Sequence, residues 1–198
     1  MAIFKIDNWE LTNDIKNNYD SILAEYHSCF AGFKPKFTTS FNEKLHKGAI
    51  NFLGLKMDTD LWIAEEKKLF NVNFENKLAL NLKLSPTSEK IIKNYPMIRQ
   101  WFWHNLGPGG EVNKHYGVNG INLNQIPDHY RLQYCFDPGE DSFFYITNQQ
   151  IKYEKNICFG FEDGMDLHWV KNLGQKSRLV LIMDIWKNMA PPIEYYTI

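Results

Sequence analysis

The 198 residues have an ordinary globular composition, with 44% hydrophobic and 23% charged residues, and this length predicts a single domain with a sizeable core. The 22 lysines and arginines balance 23 aspartates and glutamates, which excludes the strongly basic surface typical of nucleic-acid-binding proteins. We expect no membrane partner, because no apolar run is long enough to cross a bilayer. The opening MAIFKIDNWE lacks the apolar segment of a secretory signal. Three widely spaced cysteines predict no disulfide framework and favour a cytoplasmic location.

The first part of the chain, residues 1–95, is predicted to be a helical or mixed region. Apolar residues recur at helical spacing from Trp9 to Tyr26, which predicts one helix that Asn8 caps and that ends before Gly32. The other elements expected here are a short strand or lead-in over residues 1–8, a helix over 58–68, a possible strand over 77–84, and a helix that begins near Pro86 and ends before Pro96.

From residue 96 to about 188 the pattern changes to short strands at regular spacing, separated by turn residues. Such a pattern is typical of a β-sandwich or β-barrel, so we expect an α+β chain whose helical region packs on a mainly β core. The tail, residues 189–198, contains two prolines and is expected to be a surface strap. The predicted strands are 98–106, 111–116, 131–136, 142–147, 150–154, 156–161, 167–170 and 178–186.

The stretch from His168 to Trp186, HWVKNLGQKSRLVLIMDIW, predicts a buried hairpin. Its polar turn separates a histidine strand from a strand that begins at Arg178 and continues as an apolar run. An arginine at the start of a buried strand is costly unless it meets an anion. His168 and Arg178 together therefore indicate a metal ligand and an anion-binding group in one pocket.

A second histidine and a second arginine, His115 and Arg131, also lie at predicted strand ends of the β region. Two histidines from different strands can bind Fe(II) or zinc, and arginine presents a rigid fork to a carboxylate. These residues together indicate a pocket for a metal and a dicarboxylate. The alternative is that they are unrelated core or surface residues, with Arg131 in a loop and Arg178 paired with Asp184 or Glu162.

Several motifs of the β region resemble those of one enzyme family, the aspartyl/asparaginyl β-hydroxylases, which are Fe(II)- and 2-oxoglutarate-dependent oxygenases. The resemblance covers about residues 100–187, with an insertion between Gly117 and Arg131, and we find none in the N-terminal half. It rests on Leu106-Gly107-Pro108-Gly109, His115-Tyr116-Gly117, Arg131 at a strand start, and the series His168, Asn172, Arg178, Asp184 and Trp186.

The resemblance implies a double-stranded β-helix, also called a jelly roll, with His115 and His168 as the iron ligands. It also implies that Arg178 holds the distal carboxylate of 2-oxoglutarate and that Arg131 holds its 1-carboxylate. His104 stands where some members have a serine that contacts the co-substrate, and Gln133 stands where some have a histidine. The expected catalytic residues are His115, His168 and Arg178. The expected reaction consumes O2 and hydroxylates an amino acid, a peptidyl Asp/Asn-like residue or another small substrate. The oligomeric state is left open.

The third metal ligand is missing from the motif, because Gly117 stands where most such sites have a carboxylate. Water fills this position in one interpretation, and chloride in another, which would make the protein a halogenase. A second-shell role for Asp163 or Asp166 is a third possibility, although both fit solvated loop carboxylates better. A non-catalytic jelly-roll binding protein remains open, whereas a zinc hydrolase or cupin-like isomerase has no need for two arginines.

Overall fold

The computed structural model describes residues 3–6, 9–32, 46–47, 50–56, 81–116, 129–162, 166–191 and 193. In chain order the strands are β1 (Phe4–Lys5), β2 (His46–Lys47), β3 (Ile50–Lys56), β4 (Ile98–Leu106), β5 (Glu111–His115), β6 (His129–Asp137), β7 (Ser142–Ile146), β8 (Gln149–Lys152), β9 (Cys158–Phe161), β10 (His168–Asn172) and β11 (Arg178–Trp186). The helices are α1 (Glu10–Asn17), α2 (Tyr19–Gly32) and α3 (Pro86–Asn94), and a 3₁₀ helix covers Lys187–Met189.

The strands form two antiparallel sheets. The major sheet has the order β1-β9-β6-β11-β4-β3, and the minor sheet has the order β2-β5-β10-β7-β8. From β4 to β11 the chain passes back and forth between the sheets, leaving four of these strands in each. This is the topology of a jelly roll, so the predicted fold class, an α+β chain with a double-stranded β-helix core, is confirmed.

Two buried clusters hold the sheets and helices together. One lies between the two sheets, and the other lies between the outer face of the major sheet and the helices. Strand β11 contributes to both clusters. Val180 and Ile182 face the space between the two sheets, whereas Leu181 and Met183 pack toward the helices. Burial on both faces explains why this strand is a nearly continuous apolar run rather than an alternating pattern.

The predicted N-terminal helix is two helices. Asn18 leaves helical geometry with φ −108° and ψ 19° between α1 and α2, and the residue at the N-cap of α1 is Trp9. Helix α3 begins at Pro86 and ends before Pro96 as predicted, and its first turn is capped from α2. There the carboxylate of Glu25 accepts hydrogen bonds from the backbone N–H groups of Thr87 and Ser88, at 2.5 and 3.0 Å. This contact ties the two helices into one layer.

The N-terminal region also contributes strands, since β1 and β3 pair with the major sheet and β2 pairs with the minor sheet. Strand β1 lies within the short strand or lead-in expected over residues 1–8. The possible strand over 77–84 was wrong in its described part, because residues 81–83 are helical. The predicted helix over 58–68, the cap at Asn8, residues 77–80 of the predicted strand and most of the tail lie outside the described residues.

The stretch from His168 to Trp186 is not a hairpin. Strand β10 lies in the minor sheet between β5 and β7, whereas β11 lies in the major sheet between β6 and β4. Residues 173–177 therefore cross from one sheet to the other. A hairpin and a crossover have the same local pattern of two strands and a turn. Burial of both faces of β11 favours a central position in the larger sheet.

Candidate functional site

The two predicted metal ligands, His115 and His168, lie side by side on neighbouring strands of the minor sheet. They are cross-strand partners in the β5–β10 pair, beside an irregularity between His168 and Val170. Their ring centroids are 4.4 Å apart. The Nδ1 atoms lie 2.8 Å from the carbonyl of Asn113 and 3.0 Å from the carbonyl of Asp166. Since a carbonyl only accepts, each Nδ1 carries a proton. In the neutral form of each ring the lone pair then lies on Nε2, the arrangement typical of metal-binding histidines.

The surroundings of His168 are apolar. The ring is buried, and it contacts the rings of Phe144 and Phe161 at centroid distances of 5.9 and 5.0 Å. Within the described residues, no third histidine, cysteine or carboxylate joins the pair to form a three-ligand group. Asp166 orients His168 through its carbonyl, while its side chain accepts a hydrogen bond from Thr147 at 3.3 Å. Gly117 and Asp163 lie outside the described residues.

Arg178 faces the same interior from the start of β11 and is fully buried, with 0% of its surface exposed. Its Nη2 lies 2.8 Å from Nδ1 of His104, and its guanidinium carbon lies 4.6 Å from the ring centroid of Tyr153. Arginine only donates, so His104 accepts through Nδ1 and carries its proton on Nε2. Among the described residues, neither Nε nor Nη1 of Arg178 has a hydrogen-bond acceptor. A buried cation held by neutral groups fits an anion-binding site.

Neither carboxylate considered as a partner for Arg178 is paired with it. Asp184 forms a two-point ion pair with Arg131, in which Nε and Nη2 each donate to a carboxylate oxygen at 2.8 Å. Glu162 lies 3.0 Å from Lys187. The two residues of the Asp184–Arg131 pair are direct neighbours across β11 and β6. The pair engages two of the five N–H groups of Arg131.

The remaining predicted co-substrate residues, His104 and Gln133, flank β11 from its two neighbours. Val180 is the ladder partner of His104, and Ile182 is the ladder partner of Gln133. Both side chains are buried. The central strand thus brings His104, Gln133, Arg131 and Arg178 to one face of the major sheet, opposite the histidine pair.

Tyr153 is a site residue that the sequence analysis missed. It is 2% exposed, its ring contacts the guanidinium of Arg178, and its hydroxyl donates to Oε1 of Gln133. Burial raises the pKa of its hydroxyl, which keeps it protonated as a donor. The signal in the sequence was strand alternation, because Ile151 and Tyr153 are buried while Gln150 and Lys152 are exposed.

Asn172 fastens the crossover that leads to Arg178. Its Nδ2 donates to the carbonyls of Leu106, Gly107 and Lys176 at 2.8 to 3.0 Å. Its Oδ1 accepts from the hydroxyl of Ser142 at 2.9 Å. A fully buried amide that joins the turn after β4 to the crossover fixes where β11 starts.

The cysteines take no part in this chemistry. All three are buried, and none forms a disulfide. Cys135 lies on the interior face near Arg178, and burial raises the pKa of its thiol to about 12, against which the arginine acts weakly in the other direction. A protonated buried thiol is a small apolar side chain rather than a nucleophile.

A model of the aspartyl/asparaginyl beta-hydroxylase family matches residues 16–188. The chain belongs to this family. The match confirms the resemblance found in the β region. It begins at residue 16, near the end of α1, and so also includes helices α2 and α3, where we found no family motif. Membership supports a hydroxylase-type function. No curated protein matches the chain.

Several solved cupin structures are similar to the chain at low identity. A cupin-like protein from Thermotoga maritima is 12% identical, with a TM-score of 0.41, over 83% of this chain and 86% of that one. A predicted oxalate decarboxylase from the same organism is 16% identical, with a TM-score of 0.36, over 50% of this chain and 73% of that one. In the part of the chain that the structure describes, no helix is long and apolar enough to span a membrane.

Proposed function

We propose that this hydroxylase-family protein is an Fe(II)- and 2-oxoglutarate-dependent dioxygenase. Its substrate would be an amino acid, a peptidyl Asp/Asn-like residue or another small molecule. The observation that carries the proposal is Arg178, a fully buried cation whose Nε and Nη1 have no acceptor within the described residues. Leaving a charge in that state is costly, and a carboxylate from a co-substrate would remove the cost.

The residues present fit the proposed groups. The lone pairs on Nε2 of His115 and His168 suit Fe(II), and their Nδ1 protons are held by carbonyls. Arg178 would bind the distal carboxylate of 2-oxoglutarate, and Arg131 would bind the 1-carboxylate. When bound, the metal, O2 and 2-oxoglutarate supply the oxidation of a C–H bond to an alcohol, with succinate and CO2 as co-products.

The protein's own contribution is orientation and exclusion of water. His104 would hold Arg178 through Nδ1, and Gln133 would offer its amide N–H groups to the co-substrate, because its oxygen already accepts from Tyr153. The ring of Phe144 contacts the rings of Phe159 and Phe161, and Phe161 also contacts His168. Such an apolar lining would exclude water, which would strengthen each charged hydrogen bond in the pocket.

The test is removal of the metal ligands. His115→Ala and His168→Ala are expected to abolish iron-dependent formation of succinate from 2-oxoglutarate and to lower the bound metal content, because each removes one of the two proposed protein ligands. His27→Ala, which changes an exposed histidine of α2, is the matched control and is expected to keep both.

Succinate formation that persists in both ligand variants would refute the metal site. Wild-type protein that binds neither Fe(II) nor 2-oxoglutarate would favour a non-catalytic jelly roll instead. A product that gains chlorine rather than oxygen in the presence of chloride would assign halogenation, and mass spectrometry of the product distinguishes the two reactions.

A further inference from the structure

We infer that Tyr153 is the positioning residue of the distal carboxylate site, holding Arg178 with its ring and Gln133 with its hydroxyl. The inference rests on the proposed binding of 2-oxoglutarate and goes beyond it by giving the site's specificity for a dicarboxylate to a residue outside the family motifs quoted above.

The position of Tyr153 is set by the minor sheet, although it acts on side chains of the major sheet. It directly follows β8, and its backbone N–H donates to the carbonyl of Ser142 at 2.9 Å. The hydroxyl of Ser142 in turn donates to Asn172 at 2.9 Å. Tyr153 therefore spans the interior from a backbone that the Asn172 network holds in place, which gives its ring a fixed position.

The ring holds Arg178 without cancelling its charge. The guanidinium carbon lies 4.6 Å from the ring centroid, within the range of a cation–π contact. A carboxylate at this place would neutralise the arginine and compete with a ligand. The face of an aromatic ring attracts the cation through its quadrupole and carries no net charge. The arginine is thus ordered while its full charge remains for an anion.

The hydroxyl orients the second donor. Tyr153 donates to Oε1 of Gln133, so the amide turns its N–H groups away from Tyr153. Burial raises the pKa of Tyr153, and the group stays a neutral donor across the physiological range. One buried residue, 2% exposed, thereby fixes the arginine and directs the amide.

The experiment compares two ligands that differ at the distal end. 2-Oxopentanoate has the chain length of 2-oxoglutarate with a methyl group in place of the distal carboxylate. Their dissociation constants are measured by calorimetry on the full chain loaded with Mn(II), which requires no turnover. Tyr153→Phe removes the hydroxyl and keeps the ring. Tyr134→Phe is the matched control, because Tyr134 is 1% exposed and its hydroxyl also bonds to an amide oxygen, that of Asn156 at 3.1 Å, on the outer face of the major sheet.

We expect Tyr153→Phe to raise the Kd of 2-oxoglutarate about tenfold, the effect of losing one hydrogen bond near a charged group. The Kd of 2-oxopentanoate should change by less than about twofold, and Tyr134→Phe should alter neither constant. Tyr153→Leu, which also removes the ring, should give a larger loss for 2-oxoglutarate alone. If the leucine variant does not fold, Tyr153→Phe still tests the positioning role, because it keeps the ring and its packing.

An unchanged Kd for 2-oxoglutarate in Tyr153→Phe would overturn the inference and leave the proposed function standing. Equal weakening of both ligands would also overturn it, since that result indicates a general packing role. Wild-type protein that binds no 2-oxoglutarate would refute the proposed function itself, and the inference with it.

Discussion

Arg131 and Arg178 face the same interior from neighbouring strands, yet they are held in opposite ways. Arg178 contacts a neutral imidazole and an aromatic ring. Arg131 makes a two-point ion pair with Asp184, whose side chain is fully buried, and His129 lies 4.0 Å from the same carboxylate. The first arrangement keeps a net positive charge in the interior. The second is neutral as a pair, and its two hydrogen bonds fix the direction of the guanidinium.

This difference suits a ligand with two unlike ends. The 1-carboxylate of 2-oxoglutarate would lie beside a divalent metal ion, which supplies positive charge, so an already neutralised arginine suffices there to set direction. The distal carboxylate would have no metal nearby and needs the full charge of Arg178. Under the proposed function, two arginines that look equivalent in the sequence would thus have different tasks, one electrostatic and one geometric.

The largest expected effect comes from breaking the neutral pair. Asp184→Asn should lower the free energy of unfolding by about 3 kcal/mol, because it leaves Arg131 largely buried, with 17% of its side chain exposed, beside an uncharged partner. Urea denaturation measures the loss. Asp141→Asn is the control, since Asp141 pairs with Lys152 on the surface and should give no measurable change.

The same variant tests whether Arg131 touches the co-substrate. Asp184→Asn removes the negative charge that faces Arg131, so an anion bound by Arg131 should stabilise the variant more than the wild type. A rise in Tm with 2-oxoglutarate that is the same in both proteins would place Arg131 outside the co-substrate site.

The second effect comes from removing the charged arginine. Arg178→Met should raise the Kd of 2-oxoglutarate about 100-fold, because it removes the charge-assisted hydrogen bonds to the distal carboxylate. Its stability without ligand should remain near that of the wild type or increase, since an apolar side chain of similar length replaces an unpaired buried cation. Calorimetry and urea denaturation give the two values. A loss of several kcal/mol in stability without a change in Kd would make Arg178 a structural residue.

The ends of the strands were most predictable for strands that are buried in the centre of a sheet. Strands β4 and β11 have the ends that the sequence predicts, 98–106 and 178–186, since both are central strands with long apolar runs between turn residues. The crossover after β10 was not predictable from its local pattern, because a hairpin needs the same turn. Only the pairing of β11 with β4 and β6 distinguishes a crossover from a hairpin, and that pairing involves residues far away in the chain.

The contacts of the site also differ in how far the sequence could predict them. The Arg131–Asp184 pair joins residues 53 positions apart, and it depends on the register between β6 and β11. The alternative in which Arg178 pairs with Asp184 could have been excluded from the sequence. Six positions on one strand separate the residues by about 20 Å, well beyond the reach of an ion pair. Tyr153 was missed because no motif marks it, although strand alternation places it inward.

The smallest expected effect concerns the acceptor that holds Arg178. His104→Asn keeps a hydrogen-bond acceptor close to the position of Nδ1, whereas His104→Leu removes it and leaves another donor of the buried arginine unsatisfied. We expect the leucine variant to raise the Kd of 2-oxoglutarate about fivefold, the effect of about 1 kcal/mol from one lost hydrogen bond. The asparagine variant should bind within about twofold of the wild type. If both variants lose affinity equally, the imidazole ring itself contacts the co-substrate, and His104 is a ligand-binding residue in place of a support for Arg178. Calorimetry with Mn(II)-loaded protein distinguishes these outcomes. The result also tests the contrast between the two arginines, because the orientation of Arg178 depends on each of the neutral groups that hold it.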